Sequence, residues 1–357
     1  MEKCLRTGMD PSGVQPKRDP IRPNNLSATT RSVESKSSPE KSKSPIDQQS
    51  SSSSTACTEK SEEYRPTTDT RLKDQVSAPL ATVPKIFSGC CPNETSIIVE
   101  ISKAYQQLQE KRIKSYATIV VKGTFERATG RKYACDLDHT MKSKANEFLL
   151  CGEFVNAIGQ FANLHSSIDK FDLFKKYSYP FDCIDTCYRN RKNNWIETGQ
   201  LELPDGTWMD MNYLKEFYMS GEKMRMHADP DEAVRMFGPS FDQLKNELAR
   251  PMRAIDITDE ETFALMGLVL FDGDNKSVSM ETRMHCRYIR NRLFRELMDY
   301  CIHSGGIDDG PVRFASIVLL ITSANNLRSQ AKEIFHMVKM FNMFDFPKIF
   351  DEAYSHE

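Results

Sequence analysis

Three groups of residues in this chain have types and spacings that could do chemistry. Cys183 and Cys187 are four positions apart, which would place two thiolates on one helical face beside a metal ion. No histidine or third cysteine at finger-like spacing accompanies them, so two buried core cysteines are favoured. Asp136, Asp138 and His139 could serve as acid and base, but they look like part of a loop between helices. Neither group therefore predicts an enzyme.

The third group is the C-terminal sequence Ile349-Phe350-Asp351-Glu352-Ala353-Tyr354, in which apolar pairs flank one glutamate. Pro347 separates it from the preceding helical stretch. A two-turn helix is marginal alone and must pack on the rest of the domain to be ordered. Once docked, Glu352 could accept hydrogen bonds from the free amides at the N-terminus of a partner helix. Alternatively, the terminal helix only closes the core, and the spacing does not choose between these interpretations.

Helices must position these groups, because a period of three or four residues dominates the chain from Pro92 onward. Thr258 and Glu261 have the spacing of a capping box before an apolar run. Asp205-Gly206 predicts a hairpin turn between short apolar segments. The pattern predicts an all-α domain with one small β-turn. The clearest helical stretches are Ile98 to Leu108, Phe174 to Tyr188, Cys286 to Tyr300 and Phe314 to Phe341.

The first quarter of the chain has a different composition. Residues 1–86 contain one aromatic residue, and 13 of the 35 residues at 27–61 are serines. Such a segment buries too little apolar surface to offset the entropy of ordering it, so we expect disorder there.

The net charge of the whole chain, −2, gives no basic excess of the kind that is typical of nucleic-acid binding. The longest apolar run, Phe263 to Phe271, is too short for a membrane span. Ten cysteines without a secretory signal indicate reduced thiols in the cytosol or nucleus.

Four stretches follow one another along the chain, at 169–175 (DKFDLFK), 259–274, 313–320 and 349–354. In this order they resemble the ligand-binding domain of nuclear hormone receptors, of the divergent nematode type related to hepatocyte nuclear factor type four. Asp169 to Lys175 is similar to the signature that joins the family's helices 3 and 4. Asp259 to Asp274 resembles helix 8 and its following loop, Arg313 to Leu320 resembles the start of helix 10, and Ile349 to Tyr354 resembles the activation helix. The resemblance implies a three-layer antiparallel helical sandwich over 93–357, with an apolar cavity and an activation helix at 348–355.

The resemblance also implies a site for a coregulator helix. Glu352 matches the acid on the activation helix, where Ile349 and Phe350 supply apolar contacts, and Lys175 matches a basic position. The position of a second family lysine is occupied by Asn156, which departs from the pattern.

A second implied site residue is Arg189, fourteen positions after Lys175. In similar mammalian receptors an arginine at this spacing pairs with the carboxylate of a fatty acid. The alternative is a surface arginine in the basic run 189–192.

The N-terminal residues carry a further resemblance. Residues 1–22 resemble the end of the receptor DNA-binding domain and its extension, and 23–92 resemble a Ser/Pro-rich hinge. In the family the zinc-binding cysteines precede this point, so we expect no bound zinc. Contact with DNA is then expected to be weak, through Arg6, Lys17 and Arg18, or indirect, through a dimer partner.

Together these features predict a nuclear, ligand-responsive transcriptional regulator without zinc fingers of its own. Its expected partners are a small apolar or fatty-acid-like ligand, coactivator or corepressor helices, and another nuclear receptor. Dimerisation would use the long helix from Arg313 to about Phe344. The alternative is a ligand-free dimerisation module that titrates or bridges full-length receptors. No membrane partner and no enzymatic activity are expected.

Overall fold

Helices form nearly all of the protein that its computed structural model describes, namely residues 95–117, 135–221, 227, 229–343 and 348–350. The all-α prediction is confirmed. The helices are α1 Ile97–Tyr116, α2 Leu137–Ala157, α3 Gly159–Ala162, α4 Ser167–Arg189, α5 Trp195–Thr198, α6 Leu214–Met219, α7 Pro230–Gln243, α8 Arg250–Ala254, α9 Asp259–Leu270 and α10 Met280–Met340. A 3₁₀ turn at Met211–Tyr213 precedes α6, and a π-helical segment at Leu244–Ala249 joins α7 to α8.

The predicted hairpin is confirmed between α5 and α6. Strands β1 Gln200–Glu202 and β2 Trp208–Asp210 pair antiparallel, with Leu201 opposite Met209. Gly206 takes a positive φ of 80° in the turn, which glycine adopts without steric cost. The carboxylate of Asp205 accepts the backbone N–H of Thr207 at 3.0 Å and fixes the turn.

Helix α9 occupies the middle layer of a three-layer sandwich. Every residue from Glu261 to Leu270 is buried, as expected for a helix that is apolar on all sides. It packs against α1, α4 and α10. The predicted capping box is present, because Thr258 accepts the N–H of Glu261 and Glu261 accepts the N–H of Thr258.

Helix α10 consists of two arms, 280–305 and 307–340, that meet at Gly306. Gly306 has φ 81° and ψ 179°, which breaks the helical path. Gly310 follows, where a Cβ would lie 2.6 Å from the Cα of Ile302. Both predicted helical stretches are confirmed, but the second arm ends at Met340, before the expected Phe344. Asn342 has a positive φ of 46°, which cannot continue a helix.

Two local predictions were wrong. Asp169 to Lys175 does not join two helices but lies within α4, because Ser166 caps that helix by accepting the N–H of Asp169 at 3.1 Å. Asp138 and His139 are not in a loop either but lie in α2, since the carboxylate of Asp136 accepts the N–H of His139 at 2.7 Å and caps the helix. In both places a polar side chain starts a helix earlier than the apolar pattern indicates.

The expectations for residues 1–22 and 23–92 lie outside the described residues, and so does the activation helix beyond Phe350. Residues 348–350 are helical. Among the helices that the structure describes, none combines the length and apolar character that a bilayer span needs.

Candidate ligand-binding site

Two separate hydrophobic clusters fill the domain, and a cavity lies between them. The larger cluster centres on α1, α4, α9 and the first arm of α10. The smaller cluster includes Leu203, Met209, Phe217, Tyr218 and Val338. The cavity has a volume of about 330 Å³, which is within the usual size range of small-molecule sites.

The cavity wall is mostly apolar, and both clusters contribute to it. Helices α2, α4 and α7, the hairpin and the second arm of α10 supply most of its residues. An apolar wall favours a ligand that buries hydrocarbon surface. The apolar lining residues are Leu137, Met141, Phe148, Cys151, Phe181, Cys183, Leu201, Leu203, Met209, Phe217, Tyr218, Phe237, Phe241, Leu244, Ala331, Ile334, Phe335 and Phe350.

Four charged side chains also line the cavity, and they form two pairs of opposite charge. Lys144 Nζ lies 2.6 Å from Asp182 Oδ2, and about a third of each side chain is exposed. Arg112 donates through Nε to Glu147 Oε2 at 2.9 Å, and both of these side chains are buried. The polar part of the wall therefore consists of one partly exposed ion pair and one buried pair.

Arg112 is the centre of a larger buried network. Its guanidinium also donates to Asp185, with Nη2 to Oδ2 at 2.8 Å. Tyr105 donates its hydroxyl to Asp185 Oδ1 at 2.6 Å, and Tyr116 donates to Glu147 Oε1 at 2.7 Å. Three helices, α1, α2 and α4, are joined by these bonds.

The network keeps its carboxylate and guanidinium charges despite burial. Burial by itself raises the pKa of Asp185, but the guanidiniums of Arg112 and Arg189 lower it well below its usual range. Burial lowers the pKa of Arg112, but Asp185 and Glu147 raise it well above normal. Burial raises the pKa of Tyr105 most, and Asp185 adds to that effect, so this phenol remains a donor.

Arg189 belongs to this network and is not among the described residues that line the cavity. Its Nε donates to Asp185 Oδ2 at 2.9 Å, and Nη1 donates to the carbonyl of Glu202. The alternative interpretation of a surface arginine was wrong, since 9% of the side chain is exposed. Contact between Arg189 and a fatty-acid carboxylate stays a prediction from the resemblance.

The two cysteines at helical spacing are buried in the core, as predicted from the lack of a histidine or third cysteine at finger-like spacing. Cys183 lines the cavity. Burial raises the pKa of both thiols, with Cys183 and Asp182 contributing further to Cys187. Both are therefore neutral thiols. Within the described residues, no three histidine, cysteine or acidic side chains are grouped to hold a metal ion.

His139 connects α2 to the hairpin. Its Nε2 lies 2.7 Å from Asp205 Oδ2, and Asp205 is the residue that orders the β-turn. The hydrogen bond that His139 donates to Asp205 raises the pKa of His139 against the effect of burial. The arrangement ties the hairpin wall of the cavity to α2, which is a structural role.

The residues predicted to bind a coregulator are only partly brought together. Phe350 lines the cavity, with its ring 6.3 Å from Phe148, and Phe148 lies 4.8 Å from Phe174 on α4. Ile349 is half-buried. Glu352 lies outside the described residues.

Lys175 is the basic residue predicted to bind the coregulator helix, and it has partners within its own helix, α4. Lys175 Nζ is 3.1 Å from Asp172 Oδ1 and 5.0 Å from the ring centroid of Phe171. Asn156 lies one residue before the end of α2 and donates to the carbonyl of Gly152. Asn156 therefore supplies no positive charge to this side of the predicted site.

Sequence reasoning missed Arg112, Glu147 and Asp185, although a signal was available. Arg112 continues the apolar stripe of α1 four residues after Leu108, and Asp185 lies four residues after Phe181. A charge on the buried face of a helix predicts a buried partner, because an unpaired one is costly. Three such charges on three helices indicate one network.

Comparisons with known proteins agree with this architecture. Residues 130–341 match the model of the ligand-binding domain of nuclear hormone receptors. Nuclear hormone receptor family member nhr-28 of Caenorhabditis elegans is 29% identical over 208 residues, 58% of this chain and 46% of its own length. Family member nhr-86 of the same organism is 25% identical over 357 residues, 98% of this chain and 78% of its own length.

The chain thus spans about half the length of nhr-28, and the family match covers more than half of the chain. The relation to hepatocyte nuclear factor type four stays a prediction. The matched residues contain α2 to α10, including both arms and almost the whole cavity wall. By its ligand-binding domain, the chain belongs to the nuclear hormone receptors.

Proposed function

We propose that the protein is a ligand-responsive transcriptional regulator of the nucleus. It binds a small apolar ligand in the cavity and recruits coactivator or corepressor helices through its terminal helix. The observation that carries this proposal is the position of Phe350, which belongs to the terminal segment and lines the cavity. A ligand in the cavity and the terminal helix therefore share a surface.

That shared surface explains how a ligand changes the output. Each Å² of apolar surface that a ligand buries contributes about 25 cal/mol. Contacts with Phe350, whose ring packs near Phe148, are made only when the terminal segment is docked, so the ligand favours the docked state. A preference of a few kcal/mol is enough to move the population of such an element.

The docked terminal helix completes a site for a partner helix. Glu352 accepts the free amides at the partner's N-terminus, and Ile349 and Phe350 add apolar contacts. Lys175 binds carbonyls at the other end, using N–H donors beyond its pair with Asp172. Because Asn156 replaces the second lysine, this end of the site has less charge and binding is expected to be weak.

The test is a pull-down of the full chain with an amphipathic coactivator helix. Glu352→Ala should abolish ligand-dependent recruitment, because the acid contacts the partner only when the terminal helix is docked. Asp351→Ala is the matched control, one residue away, and should leave recruitment intact. Equal recruitment by Glu352→Ala and the unaltered chain would remove this role of Glu352.

The second candidate function is a dimerisation module that titrates or bridges other receptors without a ligand. Val312 and Leu319 favour it, because they are 66% and 69% exposed and lie two helical turns apart on the second arm of α10. Met141→Trp should fill the cavity, whereas Lys142→Trp places the same ring on an exposed neighbour. A reporter response that survives Met141→Trp as well as Lys142→Trp would favour the ligand-free module.

A further inference from the structure

The described walls of the cavity carry no net charge. Two cations, Arg112 and Lys144, face two carboxylates, Glu147 and Asp182. Each cation already has its carboxylate within hydrogen-bond distance, at 2.9 Å for Arg112 and 2.6 Å for Lys144. A carboxylate on a ligand would therefore meet cations whose charge is already balanced.

The residues behind the wall do not change this balance. Asp185 is shared by Arg112 and Arg189, whose nitrogens lie 2.8 Å and 2.9 Å from Oδ2. The four buried charges, two arginines and the carboxylates of Glu147 and Asp185, sum to zero. Neither arginine has positive charge left over for an incoming anion.

The tyrosine hydroxyl groups of the network also donate their hydrogen bonds to its two carboxylates, Asp185 and Glu147. Tyr105 donates to Asp185 and Tyr116 donates to Glu147, so each carboxylate has donors besides arginine. An entering fatty-acid anion would have to displace one of them or stand beside it. Either arrangement buries an uncompensated negative charge, which is costly in an apolar site.

We propose that this cavity selects a neutral lipid, with a hydroxyl or carbonyl as its polar group, over a fatty-acid anion. The inference rests on the proposed ligand-binding function and departs from the fatty-acid role expected for Arg189. The apolar wall binds the hydrocarbon chain. The partly exposed Lys144–Asp182 pair offers a donor and an acceptor to a neutral polar group.

Two probes with the same hydrocarbon chain test this selection. The purified full chain is titrated with 1-dodecanol and with dodecanoate by calorimetry, below micellar concentrations and at about pH 8, where the acid is ionised. We expect 1-dodecanol to bind at least about tenfold more tightly than dodecanoate.

Isosteric variants should weaken or abolish the preference by freeing a cation. Glu147→Gln removes one of the carboxylates paired with the Arg112 guanidinium, and Asp182→Asn removes the carboxylate paired with Lys144. Each should raise the affinity for dodecanoate about tenfold and leave 1-dodecanol nearly unchanged. Glu153→Gln is the control, because Glu153 is an exposed acid of the same helix α2 and pairs with Lys111 outside the cavity. Its two affinities should match those of the unaltered chain.

The outcomes separate the inference from the function on which it rests. Tighter binding of dodecanoate by the unaltered chain would overturn the neutral-ligand inference and leave the ligand-binding function standing. Binding of neither probe would remove the ligand-binding function itself. If Glu147→Gln does not fold, Asp182→Asn still tests the inference, because the Lys144–Asp182 pair is partly exposed. An unchanged preference of Asp182→Asn for 1-dodecanol over dodecanoate would overturn the neutral-ligand inference.

Discussion

The helical body and the cavity region of this domain are stabilised in different ways. The helical body comprises α1, α4, α9 and the 280–305 arm, and buried carboxylates join its helices. Glu296 accepts three donors at the start of α1, from the Ser96 hydroxyl and the N–H groups of Ile97 and Ile98. Asp169 on α4 accepts the hydroxyls of Ser279 and Thr282 at the start of α10.

The cavity region comprises α2, the hairpin, α6, α7 and the 307–340 arm. It has the smaller hydrophobic cluster, and its aromatic side chains Phe217, Tyr218 and Phe237 line the cavity. Fewer buried charges tie its elements together, apart from the network of Arg112 at its border. A body joined by buried carboxylates therefore leaves the region around the cavity free to respond to a ligand.

The largest expected effect is at the border between the two regions. Arg112→Met leaves Glu147 and Asp185 buried without their main partner, which should cost about 5 kcal/mol of unfolding free energy. Lys111→Met, the adjacent residue, breaks an exposed pair with Glu153 and should cost about 0.5 kcal/mol. Urea unfolding of both variants measures the difference. Similar losses would show that the network does not lock α1 to α2 and α4.

The next effect compares one phenylalanine from each region. Phe263 on α9 is buried against Tyr105, at a ring-centroid distance of 5.3 Å, so Phe263→Ala should cost about 4 kcal/mol. Phe241 already borders the cavity, so Phe241→Ala should cost only about 1 kcal/mol. Chemical denaturation checks both values. Equal costs would contradict the distinction between a close-packed body and a cavity region with unfilled volume.

A smaller effect concerns the carboxylate that caps α1. Glu296→Ala removes the acceptor for three donors and should lower the unfolding free energy by about 2 kcal/mol. Glu296→Gln retains one acceptor oxygen and should lose about half as much. Thermal unfolding of the two variants compares their losses of unfolding free energy. An equal loss in Glu296→Gln and Glu296→Ala would indicate that only the negative charge of Glu296 matters.

The smallest effect is a pH dependence in the cavity region. The pKa of His139 is raised in the folded protein by Asp205, so its pair stabilises the fold fully below about pH 6.5 and is lost as pH rises through the folded pKa. Asp136 adds to the raised pKa and Lys142 opposes it. Between about pH 6 and pH 8.5 the unaltered chain should lose roughly 0.5 kcal/mol more stability than His139→Asn. An identical pH profile in both proteins would remove this coupling between α2 and the hairpin.

Much of the fold could be predicted from local sequence patterns. The stripe of Phe174, Tyr177 and Phe181 predicted α4, and Asp205-Gly206 predicted the hairpin, because both depend on neighbouring residues. Helix starts were less predictable. Asp136 caps α2 through its own side chain, but Glu296 reaches the start of α1 from 198 or more residues away.

The candidate site was predicted less well, for a physical reason. Phe154 and Phe181 fall on the apolar faces of their helices alike, yet only Phe181 lines the cavity. No residue type in the sequence marks a cavity, because its position depends on how helices that are distant in sequence pack together. The resemblance to a receptor family supplied the cavity as an expectation, but the charges that balance its wall come from contacts between α1, α2 and α4.

The most direct test of the account is hydrogen exchange of the full chain with and without 1-dodecanol. Exchange should slow in α2, the hairpin, α6 and residues 331–343, which surround the cavity, and should stay unchanged in α9 and in residues 97–108. That result would show a ligand acting on the cavity region while the helical body stays fixed. Equal slowing in both regions, or slowing in α9 alone, would contradict the central claim that the cavity region is the responsive part of this receptor domain.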